Sequence, residues 1–187
     1  MSKTAIIFPG IGYHTDKPLL YYSKKLAAES GYHVIEVSYS GFESGIKGNL
    51  EKMKRAFEQA MDQSNKILSP YHFSLTDDLL IISKSVGTVV SGAWQRQNGL
   101  RAKNIYFTPV EATFDFINAE SGIVFHGTKD PWVESNVVIE NCNRLHLPLF
   151  LTEEANHSME KGNAIVDLEN MHRIMQCCQS YLMGQDI

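Results

Sequence analysis

The sequence predicts one α/β domain with a mostly parallel central sheet of about six strands and helices on both faces. Two observations predict it. Short apolar runs alternate with helical patterns along the chain, and most of the runs are near-continuously apolar, which is typical of strands buried on both faces. No linker rich in Pro, Gly or Ser and no internal repeat divides residues 1–187, so we expect a single domain.

Six short apolar segments are predicted as strands, because their length and composition fit buried strands better than helices. They cover residues 4–8, 33–37, 79–82, 104–107, 123–125 and 147–151. Right-handed crossovers align parallel strands, so the loops after their carboxyl ends meet at one edge of the sheet. A functional site is expected at that edge.

Four helices are predicted between these strands, over residues 17–30, 50–68, 86–98 and 167–182. Asp16 is expected to cap the first helix, with Pro18 in its opening turn and Gly31 just beyond its end. The last helix has one predicted apolar stripe, formed by Leu168, Met171, Ile174, Met175, Cys178 and Leu182.

The composition excludes several classes of function. Apolar residues make up 43% and charged residues 20% of the chain, which is typical of a globular protein. The net charge is -4 and the 17 Lys and Arg residues are scattered, so no nucleic-acid partner is expected. The apolar run at the N-terminus is too short for a signal peptide or a membrane span. We therefore expect a cytoplasmic protein with no membrane partner.

The strongest local signal is LLIISKSVGTVVSGAWQ, residues 79–95, in which a strand runs directly into a helix. This is the setting of a nucleophile elbow, where a tight turn strains the backbone of the central residue and projects its side chain. Ser85 is that residue, and Ser83 and Gly87 are the small residues that let strand and helix approach. The alternative is that Ser85 only caps the helix.

Two groups of backbone N–H donors are expected near Ser85 to stabilise an oxyanion. One is the first turn of the following helix, beginning with Val86. The other is the turn FPGIGYH after the first strand, where Gly10 and Gly12 allow the backbone to direct the N–H of Ile11 or Gly12 toward the site.

A nucleophilic serine requires a base and a partner that orients the base. Asp130 follows the fifth strand in HGTKDPWV, and His157 follows the sixth in EEANHSME. The resulting order of serine, acid and histidine is that of one hydrolase architecture. Glu111 or Asp115, after the fourth strand, is the alternative acid, and Asp130 is preferred because its motif is the better one.

Four motifs together resemble the α/β-hydrolase superfamily, and within it the small lidless bacterial serine hydrolases. PGIG resembles the oxyanion turn, SKSVG the nucleophile elbow, HGTKDPWV the acid loop and NHSM the histidine loop. The resemblance covers nearly the whole chain and implies a minimal α/β-hydrolase fold that begins at what is usually its third strand. Ser83 departs from the family pattern, which usually has Gly there.

The expected reaction is hydrolysis of a small soluble carboxylic ester or thioester through an acyl-enzyme on Ser85. Only about a dozen residues, 109–121, follow the fourth strand, where lids are inserted in this architecture, so we expect a shallow, open site. The candidate pocket residues are Tyr13, Lys84, Pro109, Glu111 and Trp132. Lys84 is interpreted either as a solvated side chain at the mouth or as a group that attracts an anionic substrate.

Other classes of function fit the sequence less well. A dinucleotide-binding fingerprint needs Gly where PGIGYHT has Thr15. Neither the histidines nor Cys142, Cys177 and Cys178 show a metal-ligand spacing, so no metal and no cofactor is expected. A binding or scaffold protein that keeps the fold and an unused triad is the alternative function. The sequence leaves the oligomeric state open.

Overall fold

The computed structural model describes residues 3–74 and 77–185, in which strands and helices alternate. The strands are β1 (Lys3–Phe8), β2 (His33–Glu36), β3 (Asp78–Lys84), β4 (Lys103–Phe107), β5 (Gly122–Gly127) and β6 (Leu149–Thr152). The helices are α1 (Pro18–Glu29), α2 (Leu50–Leu68), α3 (Val86–Gln97), α4 (Ser135–Arg144) and α5 (Ala164–Leu182), with a 3₁₀ helix over Glu111–Asp115. None of these helices is long and apolar enough to cross a membrane.

The six strands described form one sheet in the order β2-β1-β3-β4-β5-β6, and every neighbouring pair is parallel. The chain moves outward from β1 to β2 and then returns past β1 to β3. The direction of winding therefore reverses between β1 and β3. Ligands of open α/β sheets bind outside the carboxyl ends of the strands at such a reversal. The predicted parallel sheet is confirmed.

Both faces of the sheet are covered by helices, as predicted. Ile7 and Ile82 belong to the core under α1 and α5, whereas Ile6 and Ile81 belong to the core under α2 and α3. All four side chains are fully buried. Successive residues of a strand point to opposite faces, so a strand buried on both faces needs apolar residues at every position. This explains the continuous apolar runs in the sequence.

The start of α1 differs from the prediction in its cap. Pro18 is the first helical residue, and the preceding position is Lys17, whose side chain makes no capping hydrogen bond. Asp16 does not cap the helix, because its carboxylate pairs with the ammonium of Lys24 at 2.8 Å. An ion pair with a residue nearly two turns into α1 thus binds the carboxylate that was predicted to cap the helix.

The last helix begins earlier and is less buried than predicted. It begins at Ala164 rather than at residue 167, because the side chain of Asn163 accepts hydrogen bonds from the N–H groups of Ile165 and Val166 and caps the first turn. Leu168, predicted in the apolar stripe, is 63% exposed. Ile174 and Cys178 are the residues of this helix that are buried.

Helix α4 and the 3₁₀ helix were absent from the predicted elements. The ten residues of α4 bury only Val138 and Cys142, so the apolar pattern is too sparse to identify a helix. The carbonyl of Cys142 accepts a hydrogen bond from the N–H of Leu147 at 2.9 Å. This hydrogen bond closes the end of α4. Strand β6 then begins at Leu149, two residues after its predicted start.

Helix α3 lies very close to β1 at Gly87. A Cβ atom at this position would collide with the carbonyl oxygens of Phe8 and Pro9. Only glycine allows two backbones to approach in this way. The close contact fixes the position where α3 begins relative to the carboxyl end of β1.

We expect Gly87→Ala to lower the free energy of unfolding by about 2–4 kcal/mol, because the added methyl group meets backbone atoms that cannot move without displacing α3. Urea denaturation measures this change. Gln97→Ala, at the exposed end of the same helix, is the control and should stay within about 0.5 kcal/mol of the wild type. A Gly87→Ala protein as stable as the wild type would contradict the close contact.

Candidate active site

Ser85 lies between β3 and α3 with no intervening loop. Its backbone has φ 55° and ψ -126°, a sparsely populated conformation that costs about 1–3 kcal/mol. Its N–H donates to the carbonyl of Phe107 at 3.0 Å, which holds the strained turn against β4. The side chain makes no capping hydrogen bond and lines the cleft described below. Ser85 therefore does not act as a simple helix cap, and its side chain is left free of the helix at the cleft.

The structure brings Ser85, His157 and Asp130 together at the carboxyl edge of the sheet. His157 Nε2 lies 2.8 Å from Ser85 Oγ, and His157 Nδ1 lies 2.7 Å from Asp130 Oδ2. An ionised carboxylate only accepts hydrogen bonds, so Nδ1 carries the proton and Nε2 is free to accept the hydroxyl proton. The three side chains therefore form the connected chain that a serine nucleophile requires.

Glu111 and Asp115, the alternative acids, are both exposed and stand at the two ends of the 3₁₀ helix. Neither contacts His157, whose Nδ1 is taken by Asp130. Within residues 3–74 and 77–185, no three His, Cys, Asp or Glu side chains are grouped so as to hold a metal ion.

Both oxygens of the Asp130 carboxylate have partners. Oδ1 accepts the N–H of Trp132 at 2.9 Å, and Oδ2 accepts from His157 and lies 3.8 Å from Nδ1 of His126. Burial raises the pKa of Asp130, but the hydrogen bond and the charge of His157 outweigh it and hold the pKa below its usual value. Asp130 is therefore ionised at neutral pH and fixes the orientation of the imidazole.

His126 is buried beneath this carboxylate, and neither ring nitrogen has a hydrogen-bond partner among the described residues. Burial lowers its pKa, so the ring is neutral at neutral pH. A neutral ring places no positive charge beside the Asp130–His157 pair.

The loop that carries His157 is held by side chains that the sequence analysis did not identify. The side-chain oxygen of Asn156 accepts the N–H groups of Ser158 and Glu160. The hydroxyl of Thr108 donates to the carbonyl of His157 at 3.1 Å. An Asn that precedes a predicted loop histidine is a signal for such a turn, since Asn side chains bond to backbone groups two residues on.

Burial lowers the pKa of His157 below its usual value. The hydrogen bond to Asp130 raises the pKa, and the positive charges of Lys84 and Lys47 lower it. The net result is an imidazole that is neutral at neutral pH, which is the form a general base requires.

The turn after β1 is held by backbone hydrogen bonds and lies beside Ser85. Gly10 and Tyr13 exchange backbone hydrogen bonds of 3.1 and 3.3 Å, and Gly12 has a φ of 76° that favours glycine. Ile11, Gly12 and Val86 all line the cleft beside Ser85. Their N–H groups make no hydrogen bond to other described residues, so they are available to a bound anion.

Lys84 is buried, so its interpretation as a solvated side chain at the mouth is wrong. Only 1% of the residue is exposed, and its ammonium lies 5.0 Å from the ring centre of Tyr13. The Tyr13 hydroxyl in turn accepts the N–H of Leu19 at the start of α1. Burial lowers the pKa of Lys84 to about 7, against the charges of Asp130 and Glu160, which raise it. Lys84 nevertheless belongs to the lining of the cleft beside Ser85.

A cleft of about 680 Å³ opens beside Ser85, and one of its walls is the segment after β4. Val110, Ala112 and Phe116 form this wall. Pro109 is buried and Glu111 is exposed, and neither lines the cleft, so these two pocket predictions are wrong. The two predicted aromatic pocket residues, Tyr13 and Trp132, do line it.

The opposite wall comes from residues 43–57, which the sequence analysis did not place at the site. Leu50, Met53 and Phe57 lie at helical spacing along α2 and face the cleft. Leu50 is 79% and Met53 39% exposed. The buried residues of α2, which are Ala56, Ala60, Ser64 and Leu68, continue the same apolar stripe toward the end of the helix. The first turns of this stripe line the cleft and its later turns pack against the core, so an apolar stripe that begins with exposed residues is the signal for this wall.

The structure resembles solved structures of α/β hydrolases over nearly its whole length. An α/β serine hydrolase homologue from Coxiella burnetii shares 14% identity at a TM-score of 0.65, covering 97% of this chain and 85% of that chain. Mouse α/β hydrolase domain-containing protein 10 shares 12% sequence identity at a TM-score of 0.67, and the match covers 98% of this chain and 91% of that chain. A lidless α/β serine hydrolase from Xanthomonas campestris shares 15% sequence identity at a TM-score of 0.56, and the match covers 95% of this chain and 84% of that chain. Neither a protein-family model nor a curated protein matches the sequence. At these low sequence identities, the similarity shows that the chains share a fold.

We expect Lys84→Met to stabilise the protein at pH 6 by about 1–4 kcal/mol, because it removes a buried ammonium. The folded pKa of about 7 lies below the usual 10.5, so the cost of burial is full below pH 7 and declines as the pH rises toward 10.5. The gain should therefore shrink by pH 9.5.

Urea denaturation at the two pH values measures this change, with the exposed Lys66→Met as the control. A Lys84→Met protein that is destabilised equally at both pH values would show that the ammonium is well compensated.

Proposed function

We propose that this chain, which has the α/β-hydrolase fold, is a serine hydrolase that cleaves a small soluble carboxylic ester or thioester through an acyl-enzyme on Ser85. One observation carries the proposal. The hydrogen-bonded chain from Asp130 through His157 to Ser85 stands at the edge of an open cleft, beside unpaired backbone N–H groups.

The proposed reaction has two acyl transfers. Ser85 Oγ attacks the carbonyl carbon while His157 Nε2 takes its proton, and the bond to the leaving oxygen or sulfur then breaks as His157 returns that proton to it. Asp130 holds the imidazole and stabilises the imidazolium that forms. A water molecule activated by His157 then attacks the acyl-enzyme, which releases the acid and restores Ser85.

The tetrahedral intermediates carry a negative oxygen that needs fixed donors. The N–H of Val86 and that of Ile11 or Gly12 are proposed for this role, because these residues line the cleft and no described residue accepts a hydrogen bond from their N–H groups. Each such donor contributes about 3 kcal/mol of barrier reduction in serine hydrolases.

The size of the proposed substrate follows from the walls of the cleft. The segment after β4 supplies Val110, Ala112 and Phe116 as a wall, and its short 3₁₀ helix is too small to form a cap. A small molecule can therefore reach Ser85 directly from solvent.

Fluorophosphonate labelling of the purified protein tests the proposal. The wild type should label, and Ser85→Ala and His157→Ala should not, because the first removes the nucleophile and the second its base. Ester hydrolysis should fall about 10⁴-fold or more in both variants. Ser69→Ala and His172→Ala, exposed residues on other elements, are matched controls that should label like the wild type.

A wild-type protein that fails to label where a control hydrolase reacts fully would contradict an activated serine. The binding or scaffold function with an unused triad would then be favoured.

The pH dependence of ester hydrolysis tests the electrostatics of the base. Activity should be lost as the pH falls through the pKa of His157, which lies below that of an ordinary histidine. Lys84→Met removes a positive charge that disfavours the imidazolium, so it should move this acid limb to higher pH, whereas Lys84→Arg should not. The profile of kcat/KM against pH gives the limb, and an unmoved limb in Lys84→Met would show that Lys84 does not act on His157.

A further inference from the structure

The cleft beside Ser85 has two chemically different regions. The first is an apolar region between α2 and the segment after β4. Met53, Phe57, Val89, Val110 and Phe116 line it, and the rings of Phe57 and Phe116 stack against each other with centroids 6.0 Å apart. An apolar group of the substrate is stabilised there by removal from water.

The second region is cationic and lies on the side of the general base. The ammonium of Lys47 stands 5.0 Å from the ring centre of Trp132, and that ring lies 5.6 Å from the ring of His157. The charge of Lys47 acts on His157, which agrees with this closeness. Lys54 is a second cationic residue in the lining of the cleft.

These two ammonium groups lack anionic partners in the part of the chain that the structure describes. Neither Lys47 nor Lys54 forms an ion pair there. Glu43 also lines the cleft, but its carboxylate is bound by Lys52 at 3.3 Å and Arg55 at 2.8 Å. The cleft therefore presents uncompensated positive charge beside an apolar wall.

The chemistry of the triad decides which part of a substrate meets which region. His157 returns its proton to the leaving group, so the leaving group departs on the side of the imidazole. Trp132 and Lys47 lie on that side. The acyl group is then directed to the apolar region.

We propose that the substrate joins an apolar acyl group to a leaving group that carries a negative charge, and that Lys47 is the residue that selects this charge. This inference rests on the proposed serine hydrolase function and names its substrate class. The leaving group binds through its anion to the ammonium of Lys47, and the acyl chain lies against Met53 and Phe57. Each methylene that the apolar region buries should raise kcat/KM by about two- to fourfold.

Two matched esters test the selection of charge. They are para-nitrophenyl hexanoate and the same ester with a carboxylate on its phenyl ring. For each ester, kcat/KM of a variant is divided by that of the wild type, so the different intrinsic reactivities of the two esters cancel.

Lys47→Met should lower this ratio about fivefold more for the carboxylated ester than for the neutral one, mainly through KM, because it removes a partly exposed attractive charge. High salt should reduce the difference. Lys47→Arg should restore it. Lys66→Met, on the exposed far end of α2, is the control and should leave both ratios near one. An equal loss for the two esters in Lys47→Met would overturn the inference.

A binding experiment separates this inference from the proposed hydrolysis. In the Ser85→Ala protein, the anionic dye anilinonaphthalene sulfonate is compared with its neutral parent, phenylnaphthylamine. Adding Lys47→Met should weaken binding of the sulfonate about fivefold relative to the neutral dye.

If Lys47→Met weakens binding of the sulfonate but the wild-type Ser85 does not react with the fluorophosphonate, the hydrolase function is refuted and the ligand preference of the cleft is retained. If the wild-type Ser85 reacts with the fluorophosphonate but Lys47→Met does not discriminate between the two esters or between the two dyes, only the selection of charge is refuted.

Discussion

The contact between α3 and the carboxyl end of β1 at Gly87 sets the geometry on which the whole site depends. Because no side chain separates the two backbones, the chain passes from β3 into α3 without a loop. Ser85 then has to adopt its positive φ, and the carbonyl of Phe107 holds it there. Strain of this kind persists only where the surrounding packing enforces it. The same packing places the hydroxyl beside the turn after β1 and within reach of His157.

The charged groups around Ser85, His157 and Asp130 set the ionisation states of the acid and the base. Asp130 is kept ionised by its hydrogen bonds, and His157 is kept neutral by burial and by nearby positive charge. Lys84 supplies part of that charge at a cost to stability, because its ammonium is buried without a hydrogen-bonded carboxylate partner in the described chain. A costly buried charge beside a candidate base is more easily understood as part of a functional site than as a stabilising feature.

The sequence predicted the sheet, and it placed the three candidate triad residues at strand ends that meet at one edge, because each signal was local. Buried strands are continuously apolar, and Asp130 and His157 each follow such a strand. Parallel strands bring their carboxyl ends to one edge, so residues far apart in sequence converge there without any further information. Helix α4 was missed because only Val138 and Cys142 among its residues are buried. The cap of α1 was misassigned because Asp16 had a competing partner in Lys24.

The sequence by itself determined the fold class and the order in which Ser85, Asp130 and His157 follow their strands, since periodicity and strand order are properties of the chain. Only the tertiary structure decided the environment of Lys84 and the wall that α2 adds to the cleft. A strand pattern does not say whether the last residue of β3 is buried. The apolar stripe of α2 likewise does not say which of its turns pack against the core and which line a cleft. Both depend on how elements distant in sequence pack, and that packing is fixed only when the whole core is assembled.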